Sequence, residues 1–137
     1  MAPVDTRGGL QGIFLHDDLL CRVLFDSGAS HSFISRQFCM SRGLFISAVS
    51  QQISVGTPTG VSVDFPEIVR RYEIRFMGRQ FVVDMFVLGF EGFDVILGMD
   101  WLVRHCVSLD CGRRQIVLSE PVRRDWYMTV RLRETRS

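Results

Sequence analysis

Apolar residues in this chain fall into short runs broken by glycine and polar turns, and this pattern predicts strands rather than long helices. Several runs alternate polar with apolar residues, as a half-buried strand does. The predicted strands cover residues 12–15, 19–25, 52–55, 61–65, 71–76, 80–88, 93–97, 107–110 and 115–118. Helical spacing is confined to short segments at 32–43 and 99–104. The pattern therefore predicts an all-β domain.

Two turns join predicted strands into hairpins. Residues 16–18, His-Asp-Asp, separate the first two strands. Residues 56–60, Gly-Thr-Pro-Thr-Gly, separate the next two, and glycine adopts backbone conformations that are closed to other residues. Such a tip is able to lie close over a ligand, although an ordinary surface hairpin has the same pattern.

The length of the chain sets the domain organisation. With 137 residues and 47% hydrophobic content, it is long enough for one compact domain, which we place at residues 10–120. From Arg113 onward the chain holds 7 arginines against 3 acids, and after Pro121 the strand pattern is lost. We expect residues 121–137 to be a basic linker or C-terminal extension.

The charge balance and the apolar runs exclude several classes of protein. The formal net charge is +1, which argues against a dedicated nucleic-acid binder, and no direct nucleic-acid binding is expected. The apolar runs are shorter than the ~20 residues that span a bilayer, so no membrane partner is expected. The N-terminus has no basic patch followed by an apolar stretch. We therefore expect an intracellular protein, or a segment cut from a longer precursor.

The four cysteines predict neither a disulfide framework nor a metal centre. They include no Cys-x-x-Cys pair and lie in or beside apolar segments, so we expect free and mostly buried thiols. His105 and Cys106 lie near Cys111, but a structural zinc site needs a fourth ligand that is missing. No metal or other cofactor is expected. The cysteines are Cys21, Cys39, Cys106 and Cys111.

One short segment carries candidate chemistry. The apolar run "VLF" ends at Asp26, which small residues follow in "DSGAS". A bare Asp-Ser-Gly is a common turn and predicts little by itself. A second segment, "FDVILGMDWL" at 93–102, leads an apolar strand into a glycine before the short helix, and the glycine-bounded hairpin lies between the two segments. The three features in this order are far more specific than any one of them.

These segments carry a family resemblance. The first resembles the Asp-Ser/Thr-Gly-Ala active-site loop of aspartic proteases, and the second resembles the hydrophobic-hydrophobic-Gly element that braces that loop. Together "VLFDSGASHSFIS", "VGTPTG", "FDVILGMDWL" and "LDC" resemble the protease region of plant gypsy-type LTR retrotransposon polyproteins, from about Leu10 to Trp126. The resemblance implies a retropepsin-like acid protease barrel with a β-hairpin flap and one short helix after the Ile-Leu-Gly strand.

The resemblance also implies roles for individual residues. Asp26 would be the catalytic acid, and Ser27 would brace the paired loops of two subunits. Gly28 would let substrate backbone approach, and Ala29 would pack beneath the loop. The flap that closes over substrate would consist of Val55, Gly56, Thr57, Pro58, Thr59, Gly60 and Val61. The residues that hold the loop from behind would be Ile96, Leu97 and Gly98.

The chemistry of this family requires a second carboxylate. In peptide hydrolysis one carboxylate takes a proton from water while the other donates to the scissile carbonyl, and the pair shares one proton. This chain has a single Asp-Ser/Thr-Gly, at Asp26. In a C2 dimer, a residue near the two-fold axis meets its own copy. The expected partners are therefore a second copy of the chain and a polypeptide substrate.

Some positions depart from the retroviral pattern. Ser30 and His31 stand where retroviral relatives often have acids, and we interpret His31 as an exposed or packed side chain rather than a titrating switch. Pro58 predicts a stiffer flap tip, because proline fixes its backbone angle. No counterpart of the terminal strands that join the retroviral dimer is recognisable after Pro121.

The sequence thus predicts an aspartic endopeptidase that hydrolyses a retroelement polyprotein in the cytoplasm, within a virus-like particle or polyprotein. The alternative is a catalytically silent or domesticated retropepsin-like module that serves dimerisation or partner binding. An intact "DSGA" argues against that alternative, since an unpaired buried acid is costly. A third possibility, a ligand-binding β-barrel unrelated to proteases, leaves the ordered motifs unexplained.

Overall fold

The computed structural model describes residues 9–16, 19–57, 60–76, 79–110, 112–113, 115–118, 130–131 and 133–134. Within these ranges the strands are β1 (Gly9–His16), β2 (Leu19–Asp26), β3 (Phe33–Ser35), β4 (Ser47–Ala48), β5 (Val55–Gly56), β6 (Ser62–Val63), β7 (Glu67–Phe76), β8 (Arg79–Leu88), β9 (Val95–Leu97), β10 (Val107–Asp110), β11 (Gln115–Leu118), β12 (Val130–Arg131) and β13 (Arg133–Glu134). The helices in the same ranges are α1 (Arg36–Arg42) and α2 (Met99–Arg104). The predicted all-β class is confirmed.

The strand order of the main sheet places distant segments side by side. Its order is β13-β1-β2-β9-β3-β8-β7-β4, while β10-β11-β12 and β5-β6 form smaller sheets. Strand β9 lies between β2 and β3, parallel to the former and antiparallel to the latter. The loop that connects β2 to β3 must therefore cross the end of β9.

Two hydrophobic clusters fill the two faces of this sheet. Along β2, Val23 and Phe25 point into the main core, whereas Leu24 points into a second cluster on the opposite face. Strand β9 does the same, with Ile96 alone on the second face. Burial on both faces explains why these strands are continuous apolar runs in the sequence. We call the second group the loop-flap cluster; its buried members are Leu24, Ala29, Phe33, Val55, Phe90 and Ile96.

The segment predicted as irregular helical turns, 32–43, contains both a strand and a helix. Residues Phe33–Ser35 form β3 because all three are buried between β8 and β9. A short buried strand cannot be distinguished from a helical segment by periodicity. Helix α1 follows directly: its N-cap is Ser35, whose Oγ accepts from the Phe38 N–H, and its C-cap is Gly43, whose φ of 61° suits glycine.

Other predicted boundaries differ by a few residues. The first hairpin, both strands of the β7–β8 pair and the closing hairpin β10–β11 lie where they were predicted, although β7 begins earlier, at Glu67. The hairpin around 56–60 is shorter than predicted, with two-residue strands β5 and β6. No helix in the described ranges is long and apolar enough to cross a membrane.

The segment after Pro121 also carries strands that the sequence pattern does not predict. Strand β12 pairs with β11, and β13 pairs with β1 at the edge of the main sheet. Each is two residues long and is defined by its distant partner, so no local alternation reveals it. The assignment of residues 121–137 to a linker or C-terminal extension stays a prediction.

Candidate active site

Asp26 is a buried carboxylate at the end of β2. Its neighbour Phe25 makes the last pair with β9, opposite Leu97, so Asp26 is the first residue to leave that pairing. Asp26 is 3% exposed, and it is the only acid among the buried residues of the described ranges. Burying an ionised carboxylate is costly unless it is paired or hydrogen-bonded, so we expect such partners around Asp26.

The turn after Asp26 holds its carboxylate in place. The Gly28 N–H donates to Asp26 Oδ1 at 2.8 Å, and the Ala29 N–H donates to the Asp26 carbonyl at 3.2 Å. A Cβ on Gly28 would lie 3.1 Å from the same Oδ1, so glycine gives the carboxylate its room. Ser27 and Gly28 are exposed, whereas Ala29 is buried in the loop-flap cluster. The loop therefore presents small residues outward beside a fixed acid.

Gly98 supports the loop from behind. A Cβ added at Gly98 would lie 2.7 Å from the Ala29 carbonyl oxygen and closer still to that of His31. Since the obstructing atoms are backbone, only glycine fits between β9 and the loop. The Met99 N–H donates to the Ala29 carbonyl at 2.7 Å, and the Asp100 N–H donates to the Ser30 carbonyl at 3.3 Å. The first residues of α2 are thus hydrogen-bonded to the loop.

Ser32 and Asp100 are site residues that the sequence interpretation missed. Ser32 is fully buried; its Oγ donates to Asp100 Oδ1 at 2.7 Å and accepts from the Gly98 N–H at 3.1 Å. The Ser32 N–H donates to Asp100 Oδ2 at 3.2 Å, and the Trp101 N–H donates to Oδ1 at 2.8 Å. The available signal was an acid in the first turn of a helix whose N-cap, Gly98, has no side chain. Ser32 has no comparable local signal.

The predicted flap is a hairpin whose base is buried with the loop. Val55 is 2% exposed and shares the loop-flap cluster with Ala29. Thr57 closes the turn: its N–H and Oγ1 donate to the Val61 carbonyl at 3.1 and 2.6 Å, and its Oγ1 accepts from the Val61 N–H at 3.2 Å. Gly60 has a φ of 83°, which favours glycine. Pro58 and Thr59 lie outside the described residues, so the predicted stiffness of the tip stays a prediction.

The structure brings three predicted segments into one neighbourhood. The loop contributes Ala29, the hairpin contributes Val55 and the bracing strand contributes Ile96 to the same buried cluster. Leu97 and Gly98 complete the support through strand pairing and close packing. Val61 and Gly56, in contrast, are exposed and do not belong to this cluster.

His31 is a packed side chain at the edge of the site. Its Nδ1 lies 2.8 Å from Ser30 Oγ, and its ring meets Phe86 edge-on with centroids 5.6 Å apart. Phe86 itself packs against the loop-flap cluster. These contacts agree with the interpretation of His31 as an exposed or packed side chain.

The thiols are separate from this site chemistry. Cys21 and Cys39 are buried and free, Cys106 is free and exposed, and Cys111 lies outside the described residues. Burial raises the pKa of the Cys21 thiol from 9.0 to about 12, so it stays protonated and unreactive at neutral pH. No group of three or more potential metal ligands occurs in the described part of the chain.

Comparisons with known proteins agree with this geometry. A family model described as retroviral aspartyl protease matches residues 6–124. The retroviral protease-like domain of Ddi1 from Leishmania major has a TM-score of 0.60 at 20% identity, over 80% of this chain and 83% of that one. EIAV protease, solved with the inhibitor HBY-793, has a TM-score of 0.54 at 23% identity, over 80% and 99% of the two chains.

A third solved structure belongs to a bacterial protein. The retropepsin-like aspartic protease from Rickettsia conorii has a TM-score of 0.52 at 16% identity, over 75% of this chain and 77% of that one. No curated protein gives a significant match. At these identities the structures establish the retropepsin-like fold, and the family model covers most of the chain. The chain therefore belongs to the retroviral aspartyl protease family.

Proposed function

We propose that the chain is an aspartic endopeptidase that works as a homodimer, with Asp26 as the catalytic residue of each copy. The observation that carries this proposal is Asp26, the single buried acid of the described residues, which the Gly28 N–H fixes on a loop that exposes only small residues. A loop of this kind fits a second copy closely, and a C2 axis beside it brings two Asp26 carboxylates together.

The paired carboxylates supply both halves of the hydrolysis. One ionised Asp26 takes a proton from water, whose oxygen then attacks the scissile carbonyl carbon. The protonated Asp26 of the second copy donates to the carbonyl oxygen, which gives a tetrahedral diol. Proton transfer to the amide nitrogen then breaks the C–N bond and releases an acid and an amine. Two carboxyl groups in contact do not both ionise, because their negative charges repel each other. The working pair therefore holds one proton.

The remaining predicted residues have supporting roles in this proposal. Ser27 braces the paired loops at the axis, and Gly28 leaves room for substrate backbone. The hairpin from Val55 to Val61 closes over the substrate and excludes water, which strengthens electrostatic interactions in the site. The buried Val55 supports this role, because it anchors the hairpin to the same cluster as the loop.

The substrate in this proposal is a retroelement polyprotein. The motifs "VLFDSGASHSFIS" and "FDVILGMDWL" resemble plant gypsy-type LTR retrotransposon proteases, and this resemblance supports such an origin. The named neighbours include EIAV protease and a retropepsin-like aspartic protease, which supports polypeptide as the substrate class. An intracellular, virus-like-particle or polyprotein setting follows from the same proposal.

The test is a mixing experiment with the Asp26→Asn variant. The wild-type chain is expected to cleave an unfolded protein fastest below neutral pH, and the variant alone is expected to be inactive. Because a shared site needs two acids, an equal mixture of the two chains should retain about half of the activity per wild-type chain. Asp64→Asn, which changes an exposed acid instead, should leave activity unchanged.

Four outcomes would contradict the proposal. Cleavage by Asp26→Asn removes that residue from the chemistry. An active protein that stays monomeric on dilution, or a mixture with undiminished activity per wild-type chain, excludes the shared site. A dimer that cleaves no peptide at any pH would support the catalytically silent binding module instead.

A further inference from the structure

A charged groove lies between α2 and the β7–β8 hairpin. It encloses about 560 Å³. We call it the α2 groove; its lining residues are Arg71, Val82, Val83, Asp84, Asp100, Trp101 and Arg104. None of these residues has a role in the proposed hydrolysis, although one of them, Asp100, braces the loop.

A bulge in β7 fixes the position of one arginine in this groove. The register of β7 against β8 shifts between Val69 and Tyr72, and Arg71 within the bulge has a φ of 56°. The Arg71 N–H donates to Asp84 Oδ1 at 2.7 Å across the hairpin. Left-handed backbone is unfavourable for a non-glycine residue. The hydrogen bond to Asp84 offsets this cost and holds Arg71 at the groove wall.

The unused hydrogen-bond donors of the groove belong to its two arginine side chains. Asp84 accepts from a backbone N–H, and Asp100 accepts three hydrogen bonds from Ser32 and Trp101. The guanidinium groups of Arg71 and Arg104, in contrast, have no acceptor among the described residues. Guanidinium groups bind carboxylates and phosphates with paired hydrogen bonds. The groove is therefore suited to an anion.

The apolar floor and the two carboxylates of the α2 groove favour one class of anionic ligand over others. Val82 is 46% exposed in the groove, and the buried Trp101 and Val83 lie beneath it. An apolar floor favours a ligand with hydrocarbon beside its charge. The two carboxylates of the groove repel a doubly charged phosphate more strongly than a singly charged carboxylate. Acidic peptide side chains flanked by apolar residues fit both conditions.

Asp100 links this groove to the catalytic loop. Asp100 lines the groove, and its carboxylate accepts from the hydroxyl and N–H of Ser32. The Ser32 hydroxyl in turn accepts from the Gly98 N–H directly behind the loop. A ligand that changes the charge around Asp100 therefore acts on the hydrogen bonds that hold the loop.

We propose that the α2 groove is a second binding site, which takes acidic peptide segments through Arg71 and Arg104 and is coupled to the catalytic loop through Asp100. Binding to this groove is independent of the proposed protease activity. Only the effect of binding on peptide cleavage rests on the proposed function.

The test measures binding to the full chain carrying Asp26→Asn, so that no peptide is cut. The probe is a short fluorescent peptide that alternates glutamate and leucine, and its matched control has glutamine in place of glutamate. Binding by anisotropy should weaken by about tenfold or more with the glutamine peptide, and equally in a variant that combines Arg71→Asn and Arg104→Gln. Asparagine tolerates left-handed backbone, so the fold should be retained. Arg75→Gln, on β7 but outside the groove, should bind as the parent does.

The coupling is read from amide chemical shifts. On binding the glutamate peptide, the Ser32 and Gly98 amides should shift, and these shifts should disappear in the double arginine variant. Equal binding of both peptides, unchanged binding by the double variant, or weakening in Arg75→Gln to the same degree would overturn the site. Tighter binding of inorganic phosphate or of an oligonucleotide at the same arginines would overturn the ligand class. Binding without shifts at Ser32 and Gly98 would overturn the coupling.

Discussion

The hydroxyl of Ser32 donates a hydrogen bond of 2.7 Å to the carboxylate of Asp100, although 68 positions separate the two residues in the chain. Strand β9 explains the proximity, because it lies between β2 and β3 and delivers α2 to the back of the loop. The same hydroxyl accepts from the Gly98 N–H. A single buried side chain therefore ties the end of the loop to both the bracing glycine and the helix.

Removing this hydroxyl should destabilise the domain. Ser32→Ala leaves the Gly98 N–H without its acceptor in a fully buried position, and such a loss costs about 1–3 kcal/mol. The free energy of unfolding in urea is the measurement. Ser30→Ala, at an exposed position on the same loop, is the control and should stay within about 0.5 kcal/mol of the parent. Equal losses in the two variants would show that the Ser32 hydroxyl has no special role.

Asp100→Asn tests the acceptor side of the same contact. The amide group of asparagine places a donor where the carboxylate accepts from the Ser32 N–H, so one hydrogen bond is replaced by a donor-donor contact. Unfolding free energy should fall by about 1–3 kcal/mol, and any protease activity should fall with it because the loop is less well held. Asp64→Asn is the exposed control. An Asp100→Asn protein as stable as the parent contradicts the bracing role.

Gly98→Ala should be the most damaging glycine substitution at this site. The added methyl would lie 2.7 Å from the Ala29 carbonyl oxygen, and backbone cannot turn away as a side chain can. Overpacking of this kind costs typically about 1–3 kcal/mol and displaces the loop, so both stability and activity should drop. Gly89→Ala is matched to it, because a methyl at Gly89 meets nothing within 4 Å. Comparable losses in both variants would mean that the close packing behind the loop is unimportant.

The sequence predicted the local features of this site and missed the long-range ones. The segments that contain Asp26, the hairpin and Gly98 are recognisable in the sequence, because each motif consists of residues that follow one another in the chain. The sequence pattern places β3 in a helical segment, since three consecutive buried residues have no diagnostic period. The contact between Ser32 and Asp100 is created by strand order, which no local pattern encodes. Strands β12 and β13 were missed for the same reason.

The buried thiol of Cys21 predicts a loss of stability at alkaline pH. Its pKa is raised by burial from 9.0 to about 12, so the folded state keeps a proton that the unfolded state releases. The contribution of this thiol to stability is fully present below about pH 9 and is lost as the pH rises toward 12, by about 1.4 kcal/mol per pH unit. Unfolding free energies at several pH values above 9 measure the slope. Cys21→Ala should make the slope shallower, whereas Cys106→Ala, at an exposed cysteine, should leave it unchanged.

The hydroxyl of Thr57 should stabilise the turn of the flap hairpin against opening. Its Oγ1 donates to the Val61 carbonyl and accepts from the Val61 N–H, so Thr57→Val removes two hydrogen bonds at constant shape. At about 1 kcal/mol for each bond, hydrogen exchange of the Val61 amide should accelerate by roughly tenfold or more. Thr57→Ser keeps the hydroxyl and should exchange like the parent. Because Val55 keeps the base of the hairpin in the loop-flap cluster, the faster exchange should stop short of that residue. Acceleration that reaches Val55 would show that the turn and its base open together, and an unchanged Val61 rate would show that the hydroxyl does not hold the turn.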